Sequence, residues 1–498
     1  MKHYNDIVVG AGASGLTLAY LLALNGRSVL LVEKAPHVGG GLARFQKNGV
    51  AFDTGFHFTG GLCGDGLLSE MFKALGIRDE IEPVYLADER SNRYVFEGDH
   101  AAYDLPPGVK NFTDKLKSYF PDENNAIDQY FDRARKVYEQ NRSLDFRKNL
   151  QAPGFTDEDF VSLSQVLDSL FKHPHLKGIL STYAMCYGVR PSEVSFANHC
   201  RVAYGLYEGV SRIKDGGDAV IKAFQNQKAY SDIDLRLNSY ISSCEDVSEN
   251  QVGRFILNTG EEVSFDQCTF TIHPKEVVSL LPKSHLSKAF LDRVDSFEPS
   301  SGFFSVYGVI EDSAEAFQPG ITSLFPVPDV DRMMDPANGG PTALVVLTSE
   351  EMFKGKSCKL LTAMELASVE QMEEWKSSSV GQRPDSYRAY KQEREEDIVR
   401  RILDFYPQYR DRLKILDTAS MLTFRDYLHS YDGTAYGVKQ KMGQYNLFGK
   451  LPYRNIYVAG QSALLPGLLG AMMSAFIVAR SILGKEVYEQ FMDTRSRV

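Results

Sequence analysis

A glycine-rich turn between two short apolar segments near the start of the chain constrains the fold more than any other feature. The turn, Gly10-Ala11-Gly12-Ala13-Ser14-Gly15, follows an apolar segment at residues 7–9 and opens an amphipathic segment at residues 14–24. A strand, a tight turn and a helix in this order form the first part of a dinucleotide-binding unit. The sequence therefore predicts an α/β domain with a parallel sheet.

Each glycine of this turn has a separate physical reason. Gly10 permits the sharp reversal of the backbone, Gly12 leaves no side chain between the backbone and a pyrophosphate, and Gly15 lets the helix pack close to the strand. The helix N-terminus, at Ala13 and Ser14 between these glycines, offers unpaired N–H groups and a partial positive charge to phosphates. We therefore expect a diphosphate at this turn.

A second apolar segment, at residues 28–32, ends at Glu33, which lies 18 residues after Gly15. A carboxylate at this distance can accept hydrogen bonds from the hydroxyl pair of a ribose. The spacing favours a bound dinucleotide over a plain glycine turn.

The residues after Glu33 help to distinguish between dinucleotides. Lys34 opens a stretch that ends in Gly39, Gly40 and Gly41, and the sequence F-D-T-G-F-H follows at residues 52–57. A nicotinamide-binding domain usually continues into further alternating strands and helices. A second glycine run can instead pass beside the same diphosphate.

These stretches resemble the FAD-dependent superfamily that includes amine oxidases, phytoene desaturases and carotenoid isomerases. Within it, the chain is most similar to the all-trans-retinol 13,14-reductase (retinol saturase) group. The shared stretches are Gly39-Gly40, residues 45–61, residues 422–427, Gly433, Tyr436-Gly437 and residues 455–471.

The resemblance implies FAD as cofactor and a polyene or lipid as substrate. Besides the first turn and Glu33, the residues it places at the cofactor are Lys34, Gly39, Gly40, Gly41, Leu42, Arg44, Gly55, His57, Ile241, Gly460, Gln461, Gly467, Leu468, Leu469, Gly470 and Ala471. Ile241 is expected beside the adenine, and Gly460 and Gln461 near the ribityl chain. The turn at residues 467–471 would start a helix whose dipole stabilises negative charge near N1 and O2 of the reduced flavin.

Two positions depart from the wider superfamily. Gln461 stands where many members carry Asp, a departure shared with the retinol-saturase-like group. Gly41 stands where amine oxidases carry Arg, and Arg44 is the candidate replacement.

The predicted fold is a Rossmann-like FAD-binding domain of the amine oxidase and phytoene desaturase type with an inserted α+β substrate domain. We predict the FAD-binding domain at residues 1–84, 201–275 and 440–498, a helical insertion at 85–200 and the substrate-binding domain at 276–439. Local patterns predict a helix after Gly216-Gly217, a hairpin turned at Asn258-Thr259-Gly260, a sheet over the substrate cavity at residues 303–347 and a charged helix at 385–404.

Three side chains are candidates for catalysis, although the flavin would carry the hydride. His57 lies in the motif that the resemblance places near the isoalloxazine ring, where it could transfer a proton or make a structural hydrogen bond. Tyr427 and Tyr436 lie in the C-terminal shared block. They are expected either to line the substrate cavity or to pack as ordinary aromatic residues.

Composition excludes some other functions. The net charge of −10 and the pI near 5.6 argue against nucleic-acid binding as the main role. The six cysteines are scattered and the ten histidines dispersed, so no disulfide framework or metal site is predicted. Ser462 lacks the sequence motif of a hydrolase nucleophile.

The apolar residues 464–483 favour a buried helix over a membrane span because they contain Pro466, two glycines and Arg480.

The sequence thus predicts an FAD-dependent oxidoreductase acting on C–C or C=C bonds of a polyene, isoprenoid or lipid, by saturation, desaturation or cis–trans isomerisation. NAD(P)H is an open candidate for the electron donor. The alternatives are a flavin amine oxidase and a non-enzymatic prenyl-lipid carrier of the GDP-dissociation-inhibitor type. The expected location is cytoplasmic, since no cleavable signal is seen, with peripheral membrane contact as a hypothesis. The oligomeric state is left open.

Overall fold

The structure is a computed structural model that describes residues 1–86, 92–142, 146, 156–248, 250–311, 317, 319–335, 342–353 and 355–495. In chain order its strands are β1 (Lys2–Val9), β2 (Val29–Val32), β3 (Phe45–Lys47), β4 (Val50–Phe52), β5 (Pro83–Tyr85), β6 (Asn92–Phe96), β7 (Ala101–Leu105), β8 (Ser211–Ile213), β9 (Asp234–Arg236), β10 (Ile241–Ser248), β11 (Gln251–Leu257), β12 (Glu262–Phe270), β13 (Gly302–Ile310), β14 (Gly320–Phe325), β15 (Leu344–Phe353), β16 (Lys356–Ala367), β17 (Leu413–Ala419), β18 (Gly449–Lys450) and β19 (Ile456–Val458).

Helices connect and cover these strands. They are α1 (Ala13–Leu24), α2 (Leu67–Leu75), α3 (Val109–Tyr119), α4 (Asn124–Arg142), α5 (Leu163–Leu170), α6 (Pro174–Ser181), α7 (Phe196–Glu208), α8 (Gly216–Gln225), α9 (Lys228–Ser231), α10 (Pro274–Leu280), α11 (Lys288–Asp295), α12 (Val330–Met333), α13 (Asp385–Phe405), α14 (Met421–Leu428), α15 (Gly467–Leu483) and α16 (Lys485–Arg495).

The first sheet is built around a parallel centre. Its strand order is β10-β11-β12-β1-β2-β9, and β19 pairs with the second half of β12. β1 runs parallel to both β2 and β12, and β2 runs parallel to β9. All four residues of β2 are buried, as expected for a parallel strand covered on both faces. The predicted Rossmann-like domain is confirmed.

The hairpin and helix predictions within this domain are also confirmed. β11 and β12 pair antiparallel around the turn that ends at Gly260, where φ is +83°. α8 begins at Gly216, and its N-terminus packs against the carbonyl of Leu42, which a Cβ at Gly217 would approach to 2.0 Å.

The second sheet is mainly antiparallel, in the order β17-β13-β16-β15-β14-β6-β7, with only β14 and β6 parallel. Helix α13 covers it through Ile398 and Ile402, which pack in one apolar cluster with Phe304 and Val306. The sheet predicted from residue 303 onward and the charged helix predicted at 385–404 are thus confirmed.

Two domain boundaries differ from the prediction. β6 and β7 join the second sheet, so residues 92–105 are not part of a helical insertion. A turn at residues 97–100 with a positive φ at His100 marks this hairpin. Helices α10 and α11 pack on the first sheet, since Val277 and Val294 share a core with Phe265. Residues 276–295, predicted as part of the second domain, therefore belong with the first sheet.

Helices α3 to α7 form an aromatic-rich unit beside the second sheet. Within the helical insertion predicted at residues 85–200, the chain forms α3 to α7, and residues 147–155 lie outside the described residues. Helix α15 begins at Gly467 and packs its apolar face on α1. Among the described residues, no helix combines the length and apolarity needed to cross a membrane.

A buried histidine in this helical unit makes stability depend on pH. His199 is fully buried, and its two ring nitrogens lie 3.1 Å from the Tyr130 hydroxyl and 2.7 Å from the Tyr187 hydroxyl. Burial lowers the pKa of His199 to about 3. Protonation therefore favours the unfolded chain, in which the pKa is about 6.5.

We predict that His199 makes the protein lose stability as the pH falls from 6.5 towards 3. Between pH 7 and pH 5 its contribution to the loss is roughly 2 kcal/mol. In His199→Gln, which keeps one donor and one acceptor, urea unfolding should show that much less difference between the two pH values. His3→Gln, at an exposed site, is the control. Equal pH dependence of wild type and His199→Gln would contradict the prediction.

Candidate active site

The first glycine turn has the close packing that its sequence predicts. Gly10 has a φ of +97° and donates its N–H to the Val32 carbonyl at 2.8 Å. A Cβ at Gly15 would lie 1.8 Å from the Gly10 carbonyl oxygen, so only glycine lets α1 approach β1 this closely. A Cβ at Gly12 would meet nothing within 4 Å. The backbone at Gly12 therefore borders open space.

The second glycine run lies directly against the first. Gly39, with a φ of +115°, donates its N–H to the Ala11 carbonyl at 2.8 Å, and Gly40 faces the Cα of Gly12. Gly55 donates its N–H to the Gly41 carbonyl at 3.1 Å. Three chain segments thus bring bare backbone together at the carboxyl end of β1.

Glu33 fixes the shape of this edge. Its two carboxylate oxygens accept hydrogen bonds from the backbone N–H groups of Ala11 (2.6 Å) and Ala35 (2.8 Å). Each oxygen keeps a lone pair that a ribose hydroxyl could use. Lys34 beside it is exposed. Ile241 is buried among the residues of the first-sheet core, the same apolar cluster that contains Val32.

The C-terminal motif joins the first turn through a serine. Ser474 Oγ accepts a hydrogen bond from the Gly460 N–H at 2.8 Å and lies 3.2 Å from Ser14 Oγ. Thr271, the residue after β12, donates its hydroxyl to the carbonyls of Val9 and Gly10. The sequence analysis missed Thr271 and Ser474. The available signal for Thr271 is its position, directly after a strand that is parallel to β1.

Two helix N-termini at this site lack a capping side chain. Neither α1, capped by Gly12, nor α15, capped by Pro466, receives a hydrogen bond from its cap side chain. Gly467 at the start of α15 has a φ of +76°, and a Cβ there would meet nothing within 4 Å. Free N–H groups and open glycines suit an anionic, extended ligand. The residues thus fit a dinucleotide, and the open backbone at Gly12 and Gly467 is the observation that carries this.

The other predicted cofactor residues near α15 have packing contacts. Gly470 is held close to the Leu465 carbonyl, which a Cβ would approach to 2.0 Å. Leu468 and Ala471 are buried, Leu469 is partly exposed, and Leu42 is buried against α8. The role of each residue in holding a cofactor stays a prediction.

His57 lies deep in the protein yet retains accessible surface. Burial lowers its pKa to about 4, and Arg212 adds to this while Asp53 opposes it. The imidazole is therefore neutral near pH 7, with one N–H donor and one acceptor nitrogen. It suits a hydrogen-bonding role and cannot act as a stored cation.

Tyr436 also lies in the interior with part of its surface accessible. Burial raises the pKa of its phenol well above the usual range, so the hydroxyl keeps its proton. Its ring centroid lies 6.3 Å from that of Phe303. Gln461, predicted near the ribityl chain, donates its side-chain amide to the Ala435 carbonyl at 3.1 Å. The cofactor motif and the loop that carries Tyr436 are thus directly connected.

Tyr427 and Arg44 lie elsewhere than expected. Tyr427 is 62% exposed because α14 buries Met421 and Leu422 at its other end, so it does not share the interior with Tyr436. The Arg44 guanidinium is 5% exposed and is held by Asp53 and Glu351. Together with Arg212, these residues form what we call the charge cluster, namely Arg44, Asp53, Arg212 and Glu351.

Partly buried apolar side chains lie near Tyr436. Cys186 is one of them, and burial raises the pKa of its thiol to about 12. Phe58, Phe303 and Leu347 pack at the edge of the same apolar cluster as Cys186 and are only partly buried. All six cysteines are free thiols.

Comparison with known proteins also indicates a dinucleotide-binding fold. Residues 8–75 match the model of an NAD(P)-binding Rossmann-like domain. All-trans-retinol 13,14-reductase of Danio rerio is 24% identical over 547 residues, which cover 99% of this chain and 88% of that protein. Prolycopene isomerase 2 of an Oncidium hybrid cultivar is 31% identical over 161 residues, which cover 30% of this chain and 25% of that protein.

A solved structure of putrescine oxidase bound to putrescine superposes with a TM-score of 0.66 at 14% identity, covering 97% of this chain and 99% of the other. At this identity the likeness shows the fold alone. The fold class and the resemblance inferred from the sequence are both confirmed, and the first domain is of the dinucleotide-binding type.

We predict that Gly12→Val and Gly15→Ala separate cofactor binding from folding. Gly12 has an ordinary φ of −73° and open space around it, so Gly12→Val should shift the apoprotein's thermal midpoint by about 2 °C or less while abolishing retention of FAD. Gly15→Ala should lower the thermal midpoint itself because its Cβ meets the Gly10 carbonyl. Flavin absorbance after desalting and a thermal melt measure the two effects. Normal FAD content in Gly12→Val would disprove the placement.

Proposed function

We propose that this chain, which is related over nearly its full length to all-trans-retinol 13,14-reductases, is an FAD-dependent oxidoreductase that acts on C–C or C=C bonds of a hydrophobic polyene, isoprenoid or lipid. The observation that carries the proposal is the meeting of the two glycine motifs through Ser474, at the carboxyl edge of the parallel sheet. Ligands of open α/β sheets bind at this edge.

FAD is proposed over a nicotinamide dinucleotide because the site continues beyond the first turn. The N-terminus of α15, with its bare Gly467, belongs to a second motif, separate from the turn that would bind the diphosphate and adenosine common to both dinucleotides. Three elements of the chain would hold the ligand: the first turn, residues 39–41 with Gly55, and residues 460–471. FAD, when bound, supplies hydride transfer between a substrate carbon and its N5 atom.

The side chains of the protein would position the substrate, exclude water and move a proton. Saturation of a C=C bond by hydride also needs a proton at the second carbon. The Tyr436 hydroxyl is protonated near pH 7 and is proposed as the donor, whereas neutral His57 can orient a neighbour or relay a proton through its two nitrogens. Cis–trans isomerisation would need no net proton.

A hydrophobic substrate is proposed from the apolar side chains near Tyr436. The ring of Phe303 and the thiol of Cys186 lie close to Tyr436, and Phe58 and Leu347 pack against the same apolar cluster. Apolar pockets with few polar groups suit long hydrocarbon ligands. The relatives named for retinol and for prolycopene are consistent with this class. Because such a substrate would be taken up from a membrane, we also propose that the protein is cytoplasmic and contacts a membrane peripherally. NAD(P)H is the proposed electron donor.

The alternatives have less support. Likeness to putrescine oxidase supports the fold and not amine oxidation. A lipid carrier that does not use flavin would have no reason to keep Gly12 and Gly467 free of side chains.

We predict that the purified protein is yellow and that anaerobic NADPH bleaches its visible spectrum. A mixed carotenoid and retinoid extract should then restore the colour, because the reduced flavin passes a hydride to a double bond. Bleaching by the extract alone would show desaturation instead. Colourless protein that FAD cannot reconstitute would refute the oxidoreductase and favour the lipid carrier.

We predict that Tyr436→Phe and Tyr427→Phe, the same chemical change, have different effects. Tyr436→Phe should slow reoxidation of the reduced protein by substrate about 10²-fold, the low end of the usual effect of a general acid, and leave reduction by the electron donor unchanged. Tyr427→Phe should change neither step because its side chain is in solvent. Stopped-flow absorbance at the flavin bands resolves the two half-reactions. Equal reoxidation rates in both variants would exclude proton donation by Tyr436.

A further inference from the structure

We propose that Glu351, on the substrate-domain strand β15, is a positioning residue that holds the loop at residues 53–57 against the cofactor groove by completing the charge cluster. The inference rests on the proposed function only in taking FAD as the occupant of that groove. The carboxylate is 307 residues from Arg44 in sequence, and no local pattern indicates the pairing.

The charge cluster is compact, buried and balanced. Glu351 accepts a hydrogen bond from Arg44 through one oxygen and from Arg212 through the other, at 2.9 Å for Arg212. Asp53 accepts from the same Arg212 nitrogen at 2.9 Å. The side chains of the four residues are 5% to 18% exposed. Two guanidinium groups and two carboxylates thus leave no net charge.

The pairing between Arg44 and Asp53 is imperfect without a further partner. Arg44 Nε and Asp53 Oδ1 are buried, lie 3.2 Å apart and lack hydrogen-bond geometry. Arg44 is fixed instead through its terminal nitrogen, which donates to Glu351 and to the Ala51 carbonyl. Buried charges need full compensation, so removing Glu351 leaves two cations against Asp53 alone.

The loop at residues 53–57 is attached to the substrate domain through the hairpin of β3 and β4. Phe45 and Phe52 pack against Tyr307 of β13 with ring centroids 4.8 and 5.5 Å away. Lys47 pairs with Asp417 of β17 at 2.8 Å. Both glycine segments beside the hairpin, at Gly41 and Gly55, therefore depend on the second sheet for their position.

Gly216 provides the space that the charge cluster occupies. Gly216 has a φ of +58°, and a Cβ there would lie 2.2 Å from Asp53 Oδ1 and 3.0 Å from Arg44 Cδ. Gly216, the first of the glycine pair after which the sequence predicts a helix, thus leaves room for the Asp53 carboxylate. Asp53 opens the loop that ends at His57.

The test compares Glu351→Gln with Glu350→Gln, the same change on the exposed neighbour. Arg212→Gln and the double variant Arg212→Gln/Glu351→Gln complete a double-mutant cycle. Hydrogen–deuterium exchange of the peptide containing residues 53–57 is measured in the apoproteins, and FAD affinity is measured by fluorescence titration.

We predict that Glu351→Gln raises exchange in the loop and weakens FAD binding about tenfold, while Glu350→Gln changes neither. The loss of FAD affinity in the double variant should be smaller than the product of the losses in the two single variants, because the double variant restores charge balance. Loop exchange equal in Glu351→Gln and Glu350→Gln, or strictly multiplicative effects in the double variant, would overturn the proposal. If the wild type binds no FAD, the proposed function fails, and the exchange comparison alone decides the role of Glu351.

Discussion

The approach of α1 to β1 at the first glycine turn is the constraint on which the remaining architecture depends. Because Gly15 packs on the Gly10 carbonyl, the start of α1 lies over the carboxyl end of β1. This position lets Ser14 reach Ser474, which in turn holds the N–H of Gly460. A larger side chain at Gly15 would separate α1 from the sheet, and the two cofactor motifs would no longer meet. One close contact between backbones thus determines the geometry of a site assembled from both ends of the chain.

The second sheet also contributes to the position of this site. The hairpin of β3 and β4 lies between the glycine segments at residues 39–41 and 55–57, and it packs on the second sheet through aromatic rings and ion pairs. The Gln461 amide bonds the loop that carries Tyr436, which is a second connection in the opposite direction. The glycine segments, the second sheet and the loop that carries Tyr436 are therefore connected through these contacts.

Sequence patterns predicted the elements that depend on neighbouring residues. The first turn, the hairpin ending at Gly260, the start of α8 and helix α13 all follow from glycine positions or from periodicity over one or two turns. The patterns could not assign β6 and β7 to the second sheet, because strand partners 200 or more residues away decide that pairing. The same limit applies to the site. Arg44 stands next to a glycine run in sequence, which suggested a contact with the cofactor, but its ion-pair partner Glu351 comes from a distant strand. The exposure of Tyr427 depends on which face α14 turns towards the sheet.

The protonation states of the interior groups agree with an apolar substrate. Burial keeps His57 neutral and Tyr436 protonated near pH 7, and the thiol of Cys186 is likewise uncharged. The buried charges close to His57 are compensated within the charge cluster. A hydrocarbon bound beside these groups would therefore face neutral donors and acceptors, and no unpaired charge would have to be desolvated to admit it. An enzyme for a cationic amine would gain from an anionic partner beside them. Neutral His57 and protonated Tyr436 provide hydrogen bonding and a proton without that charge.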